Sequence, residues 1–252
     1  MSTSIAPPVD PGPAGWNAIL PPREPEPPLR GEQTADYLII GAGFAGLSAA
    51  RRLQQLRPDA RVVVLEARQI AEGPAGRNSG FMIDLPHDLS SEDYAGSAEG
   101  DRRQIAMNRA AIQFARAAAR EYQMPAEALV NCGKINAAAT DKGLHHNAAY
   151  ARHLDSLGES YRLLDAAGMQ ELTGMDYYRG GLWTPGAAML QPALYIRGLA
   201  AGLQAHPAFA LYEDSPVTAL EREGSGWRAQ TPNGSVRAAR VILAVNGMLE
   251  RF

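Results

Sequence analysis

The residues of this chain best suited to chemistry form a short ordered series. Gly41-Ala-Gly43-Phe-Ala-Gly46 lies between an apolar run, Tyr37-Leu38-Ile39-Ile40, and the stretch Leu47 to Leu56, where apolar residues recur at helical spacing. Glu66 follows Gly46 by twenty positions and ends a second apolar run, Val62 to Leu65. A glycine triplet alone is a weak signal. Strand, glycine turn, helix, strand and terminal acid together form the setting of a dinucleotide-binding crossover. In that setting Gly41 allows the tight turn, and Gly43 lets backbone approach a pyrophosphate with no Cβ in the way. Gly46, helped by Ala50, lets the helix press on the sheet. The helix N-terminus offers N–H groups and partial positive charge to phosphate, and Glu66 accepts hydrogen bonds from ribose hydroxyls. The alternative is a tight βα turn that holds no ligand.

About ten residues further on, Ala75-Gly-Arg-Asn-Ser-Gly80 places Arg77, Asn78 and Ser79 between glycines. Such a loop supplies backbone N–H groups, a hydroxyl and an amide to the rest of a cofactor, which favours a tightly held flavin dinucleotide over a diffusing nicotinamide one. Other candidates fit plainer roles. His145, His146 and His153 share a helix without a supporting carboxylate pair, so no metal site is expected. The single cysteine, Cys132, is expected as a small core residue. Covalent flavin attachment needs a His or Cys in the glycine-rich loop. None occurs there, and His87 is the nearest, so the cofactor is expected to be non-covalent. Tyr177, Tyr178 and Trp183 read as core aromatics or as a pocket wall. Asp84, Glu92 and Asp93 read as a solvated face or as an attractor for a cationic amine.

The elements that must position these groups follow from pattern. Nine of the 18 prolines fall in the first 30 residues, so this arm builds neither helix nor central strand. It runs extended, either as a loose tail or pinned to the body by Trp16, Ile19 and Leu20. Strands are expected at 37–40 and 62–65, with the first helix between them. A long helix at 101–122 carries an apolar stripe of Met107, Ala111, Phe114, Ala118 and Tyr122. A strand at 134–140, a helix at 145–157 closed by Gly158, and a strand end and turn at 180–186 follow. A helix spans 194–203, and β-structure recurs at 208–212, 217–221, 227–231 and 236–245, with Asn233-Gly234 as a hairpin turn. Length is sufficient for one large domain or two small ones. The 24 basic and 27 acidic residues leave a net charge of −3, which gives no reason to expect nucleic acid or an anionic membrane as partner. With no secretory signal and no apolar span visible, the expected location is cytoplasmic.

Four segments in this order carry a resemblance: Tyr37 to Glu66, Gly76-Arg-Asn-Ser-Gly80, Leu190-Gln-Pro-Ala-Leu-Tyr-Ile-Arg-Gly-Leu199, and Val241-Ile-Leu-Ala-Val-Asn-Gly247. Together they resemble the D-amino-acid oxidase superfamily of FAD-dependent amine and amino-acid oxidoreductases. The Pro-rich lead with Trp16 and the run Arg77 to Asp84 resemble its γ-glutamylputrescine oxidase-like branch. The resemblance implies an α/β fold: a Rossmann-like FAD-binding domain interrupted by a β-rich (α+β) substrate domain. It divides the chain into an arm (1–33), the first part of the FAD domain (34–90), the substrate domain (91–190) and the second part of the FAD domain (191–252). It implies non-covalent FAD and a small-molecule amine or amino-acid substrate, whose C–N bond is oxidised by hydride transfer to the flavin. It leaves oligomeric state open.

Residue by residue, the resemblance implies that Gly41, Gly43, Ala45 and Gly46 hold the pyrophosphate. Glu66 binds the adenosine ribose, with Ala67 and Arg68 beside the adenine half. Arg77, Asn78, Ser79 and Gly80 run toward the flavin ring, Val217 makes a backbone contact to adenine, and Asn246 returns to the dinucleotide. Many relatives have threonine-glycine where Val245-Asn246 stands here. Relatives also continue past the Asn246-Gly247 turn, whereas this chain stops at Phe252, so the expectation is a partial chain. A short natural protein and a two-chain enzyme are the alternatives. No catalytic residue is named. Two other functions stay open: an NAD(P)-dependent dehydrogenase, and an inactive dinucleotide-binding fragment or subunit needing a completing segment.

Overall fold

Apolar runs bounded by glycine, proline or charge set the strands of this protein, seen in a computed structural model that describes residues 12–86 and 98–251. His87, Glu92 and Asp93 therefore lie outside the described residues, as do Pro7, Pro8, Pro11 and Phe252. In chain order, a short helix α1 (Gly15–Ala18) precedes β1 (Gly31–Ile40), α2 (Phe44–Leu56), β2 (Val62–Leu65) and β3 (Phe81–Met82). Then come α3 (Ala98–Glu121), β4 (Leu129–Val130), β5 (Lys134–Ala138), α4 (Asp141–Leu157), β6 (Arg162–Asp165) and α5 (Ala166–Thr173). The order closes with β7 (Gly180–Thr184), β8 (Ala188–Leu190), α6 (Pro192–Gln204), β9 (Phe209–Tyr212), β10 (Ala219–Glu223), β11 (Gly226–Thr231) and β12 (Gly234–Leu243).

The chain divides into two units. The first comprises Met1–Ser79, Ala119–Ala128 and Gln191–Phe252; the second comprises Gly80–Ala118 and Leu129–Leu190. The first unit thus breaks at Ser79 rather than at the expected residue 90, and it takes back ten residues from the middle of the chain. It also includes the arm expected as a separate segment.

The first unit is built on a six-stranded sheet in the order β10-β11-β12-β1-β2-β9. Strands β12, β1, β2 and β9 are parallel, while β10 and β11 return antiparallel. All four residues of β2 are buried, as a strand covered on both faces requires. Leu38, Ile40, Val63, Leu65, Val236 and Ala238 form one core on this sheet, joined by Leu29 from the arm. Pro at the start of α6 pre-sets its first turn, and the Gln191 side chain accepts the Leu194 N–H at 2.7 Å to cap it.

The arm packs on this unit, and of the residues expected to pin it Trp16 does so, its carbonyl accepting from the Gln191 side chain at 2.9 Å. Ile19 is 70% exposed, whereas Ala14 and Leu29 are buried. The grip is mostly polar, because proline-rich backbone has carbonyls to offer but few N–H groups. Arg197 donates to the Asn17 side chain at 3.0 Å and to the Pro21 carbonyl at 2.7 Å, and the Ala14 N–H donates to Glu72 at 2.9 Å.

The second unit holds two three-stranded antiparallel sheets, β3-β8-β4 and β5-β7-β6. Thr140 caps α4, and Gly158 ends it in the left-handed conformation (φ 73°). The α3 stripe differs from expectation. Met107 is 60% exposed and Ala111 is also exposed, while Ile105, Ile112, Ala115 and Ala118 are buried. Two apolar arcs compete on that helix, and the branched isoleucines rather than the flexible methionine face the core. Cys132 is exposed, not core, because it lies in the bend between β4 and β5 beside Gly133 (φ 68°). Tyr177 is 68% exposed and meets Tyr178 edge to face at 5.2 Å, so this pair is not core either. The hairpin between β11 and β12 turns at Pro232-Asn233; Gly234 is already the first strand residue, paired with both Thr231 and Gly31. A Cβ at Gly234 would meet the Gly31 carbonyl oxygen at 2.4 Å, so close strand approach rather than the turn requires that glycine.

Candidate cofactor site

Four parallel strands of the first unit end level. Ile40 pairs with Leu65 on one side and Leu243 on the other, and Leu65 pairs with Tyr212. The segments leaving these carboxyl ends are Gly41–Gly43, Glu66–Arg68, Glu213–Val217 and Ala244–Asn246, which brings most of the expected binding residues to one edge of the sheet. Outside the carboxyl ends of parallel strands is where open α/β sheets bind ligands.

The glycines of the first turn have separate jobs. Gly41 has φ +104°, and a Cβ there would meet the Ala244 carbonyl oxygen at 2.5 Å. A Cβ at Gly46 would meet the Gly41 carbonyl oxygen at 1.9 Å, so α2 lies against the turn with no room for a side chain. Gly43 is the N-cap of α2 and, having no side chain, gives that end no cap of its own. A Cβ at Gly43 would meet only the Ala75 Cβ, at 3.6 Å. Ala45, in the first turn of α2, is exposed. The uncapped N–H groups of a helix with open space at Gly43 suit a diphosphate.

Glu66 is half-buried and held in place. One carboxylate oxygen accepts the Ala42 N–H at 2.9 Å and the other accepts the Arg68 N–H at 3.1 Å. Burial pushes its carboxyl group above the usual range against the pull of these N–H groups, and the nearby Glu213 adds to the rise. The Ala67 N–H also donates to this carboxylate, which with about four acceptor sites keeps room for a further donor. Ala67 and Arg68 are exposed beside it.

The remaining expected residues are placed as follows. The 3-10 turn Pro74–Gly76 packs beside Gly43, as the Ala75 contact shows. Arg77 donates to the Glu72 carbonyl at 2.8 Å and the Gly12 carbonyl at 2.6 Å. The Asn78 amide donates to the Ala75 carbonyl at 2.8 Å, and the Asn78 carbonyl accepts the Trp16 indole N–H at 2.7 Å. Both side chains thus build the loop, and the Arg77 side chain and the Asn78 backbone carbonyl tie it to the arm. Ser79 is exposed; Gly80 (φ 77°) opens the second unit, and its carbonyl accepts the Leu190 N–H at 2.8 Å. Val217 is half-buried against the sheet core, and Asn246 is exposed with φ 51°.

Sequence reasoning missed Glu213, Ser215 and Arg23. Glu213 is fully buried at the end of β9, where Arg23 and the N–H groups of Glu26 and Ile70 donate to it. An acid directly after an apolar strand was the available signal, as at Glu66, but its partner lies 190 residues away. Asp84, the described member of the proposed amine-attracting trio, is buried in the second unit and committed to Arg109, at 3.0 Å. His153 pairs with Asp101 at 2.7 Å, and among the described residues no group of His, Cys, Asp and Glu is arranged to hold a metal ion.

The family described as FAD dependent oxidoreductase, DAO, matches residues 36–252. The protein named Probable oxidoreductase OrdL of Rhizobium meliloti (strain 1021) is 26% identical over 259 residues, covering 96% of this chain and 56% of the relative. The gamma-glutamylputrescine oxidoreductase of Escherichia coli (strain K12) is 27% identical over 218 residues, covering 86% of this chain and 50% of the relative. Among solved structures, glycine oxidase from Geobacillus kaustophilus superposes with a TM-score of 0.68 at 20% identity, over 84% of this chain and 55% of the other. The chain spans about half the length of the curated relatives it matches. Among the described residues no helix is long and apolar enough to cross a membrane.

Proposed function

The chain belongs to the DAO family of FAD-dependent oxidoreductases, and we propose that it serves oxidation of the C–N bond of an amine or amino acid to an imine. Water then hydrolyses the imine to an aldehyde or keto acid, releasing ammonia or an amine. FAD, when bound, takes up the two electrons and passes them to oxygen or another acceptor. The observation that carries this reading is the uncapped start of α2 at Gly43, set beside the fixed carboxylate of Glu66. The amine class is supported by the names of two relatives, a gamma-glutamylputrescine oxidoreductase and a glycine oxidase. The family match favours FAD over the nicotinamide alternative.

In this reading the N–H groups around Gly41, Gly43, Ala45 and Gly46 hold the pyrophosphate. Glu66 accepts the ribose hydroxyls on its spare lone pairs while the Ala42 and Arg68 N–H groups keep it oriented. Ala67, Arg68 and the backbone at Val217 flank the adenine, and Asn246 closes on the dinucleotide from β12. Arg77, Asn78, Ser79 and Gly80 lead toward the ring, with Arg77 and Asn78 stiffening the approach rather than reaching out. Binding is non-covalent. The reactive amine is neutral, so no strong general base is required of these residues. The protein holds, orients and shields.

The test is direct. The purified protein, given excess FAD and then freed of unbound FAD by gel filtration, stays yellow with a band at about 450 nm. With oxygen and a panel of primary and secondary amines and amino acids it then releases peroxide, or reduces an electron-accepting dye. Failure to take up FAD or quench its fluorescence overturns the site. Reduction by hydroxy acids but by no amine overturns the substrate class.

A further inference from the structure

The carboxylate of Glu213, buried at the end of β9, organises the loop that carries Glu66. Its side chain is 0% exposed. It accepts from the Arg23 guanidinium, from the Glu26 N–H at 2.6 Å and from the Ile70 N–H. The two residues after it repeat the attachment: the Asp214 N–H donates to the Arg68 carbonyl at 3.1 Å and the Ser215 N–H to the Glu66 carbonyl at 2.8 Å. Asp214 holds φ +46°, which fixes the turn in a conformation few non-glycine residues adopt. On the other side, the Ser215 hydroxyl accepts the Leu29 N–H at 2.8 Å, and Leu29 is itself buried in the sheet core. Residues 23–29 of the arm, the turn 213–215 and the loop 66–70 are thus laced together in that order.

We propose that residues 23–29 act as a strap, with Arg23, Glu213 and Ser215 as positioning residues that lock Glu66 and Arg68 in the geometry that receives the adenosine end of FAD. This inference rests on the reading of Glu66 given above. A buried carboxylate is tolerated only when paired and hydrogen-bonded. Removing Arg23 leaves Glu213 without its guanidinium and loosens the turn from both neighbours. The charged groups facing Glu213 are Arg23 from the arm, Arg197 from α6, with Glu72 near that guanidinium, and Glu66 across the loop. The negative charge of Glu213 also raises the Glu66 carboxyl across the loop.

The experiment is FAD titration by fluorescence quenching across pH, in the purified protein carrying Arg23→Met, Arg23→Lys, Glu213→Gln or Glu66→Ala. The strap predicts that Arg23→Met and Glu213→Gln each weaken FAD about tenfold at neutral pH, and that Arg23→Lys keeps most of the affinity. It further predicts that the loss of affinity in acid moves to lower pH in Glu213→Gln, because the charge removed there is one that raises the Glu66 carboxyl. A merely structural role for Glu213 would weaken binding without moving that profile. Arg23 is partly exposed, so its variants carry the test should Glu213→Gln fail to fold. Unchanged FAD binding in Arg23→Met, with binding lost in Glu66→Ala, overturns the strap and leaves the site standing. Unchanged binding in Glu66→Ala overturns the site itself.

Discussion

A methyl group added at Gly46 meets the Gly41 carbonyl oxygen at 1.9 Å, whereas one added at Gly43 meets only the Ala75 Cβ, at 3.6 Å. The two glycines of one motif should therefore fail in different ways. Gly46→Ala pushes α2 off the sheet and is expected to lower stability by about 3 kcal/mol in denaturant unfolding. Gly43→Ala has room and an ordinary φ of −85°, so its stability should change by no more than about 0.5 kcal/mol. Its FAD affinity should nevertheless fall at least about tenfold, because the methyl group occupies the diphosphate's approach. Glu66 gives a prediction in pH. It receives hydroxyl donors best as a carboxylate, and burial raises its pKa from 4.5. FAD affinity should thus begin to fall, as the solution is acidified, at a higher pH than for an ordinary glutamate. Linkage acts in the reverse sense on the ligand-free fold: the folded state holds this proton more tightly than the unfolded one, so Glu66 contributes less stability as pH rises through the window between the two values. Comparing wild type with Glu66→Ala, by titration and by melting, separates the two trends.

Among the elements, β2 was legible because four buried apolar residues stand between Arg61 and Glu66, and its observed bounds match that run. The first half of β1 was not legible. Gly31 to Asp36 is polar, and it is strand because β12 pairs along its whole length. The short strands β3, β4, β6 and β8 carry two to four residues each, too few for any period to show. At the site, Gly41, Gly43, Gly46 and Glu66 could be read because the crossover is local in sequence. Glu213 could not be read, because its meaning depends on Arg23 and Ile70. The same holds for Asp84, whose acidity suggested a cation site but whose carboxylate answers Arg109 on α3. Arg109 also donates to Glu159, at 3.0 Å, joining α3 to the segments that follow β3 and α4 in the second unit. Arg109→Met removes the guanidinium from the Asp84 carboxylate, which is 1% exposed, leaving Lys134 as a nearby cation, and should destabilise the protein by about 3 kcal/mol. Asp84→Asn leaves Arg109 its second carboxylate and should be milder. Thermal melts of the two variants check the order.

For the molecule as a whole, ligand linkage gives the simplest check of the family's cofactor. FAD at 100 times its dissociation constant should stabilise the fold by about 2.7 kcal/mol, while NAD at the same concentration should leave the melting temperature unchanged. The pairing of β1 with β12 has a further implication, for how the molecule is made. Leu38, Ile39 and Ile40 meet their partners Val241, Ile242 and Leu243 only across about two hundred intervening residues. During translation one flank of the central strand stays open while nearly all of that sequence emerges from the ribosome. Closing so large a loop is slow, and the open flank is a sticky template for other chains. Production of this protein should therefore respond to chaperone supply and to lowered growth temperature, with the soluble fraction limited by the arrival of β12 rather than by the crossover that β1 begins.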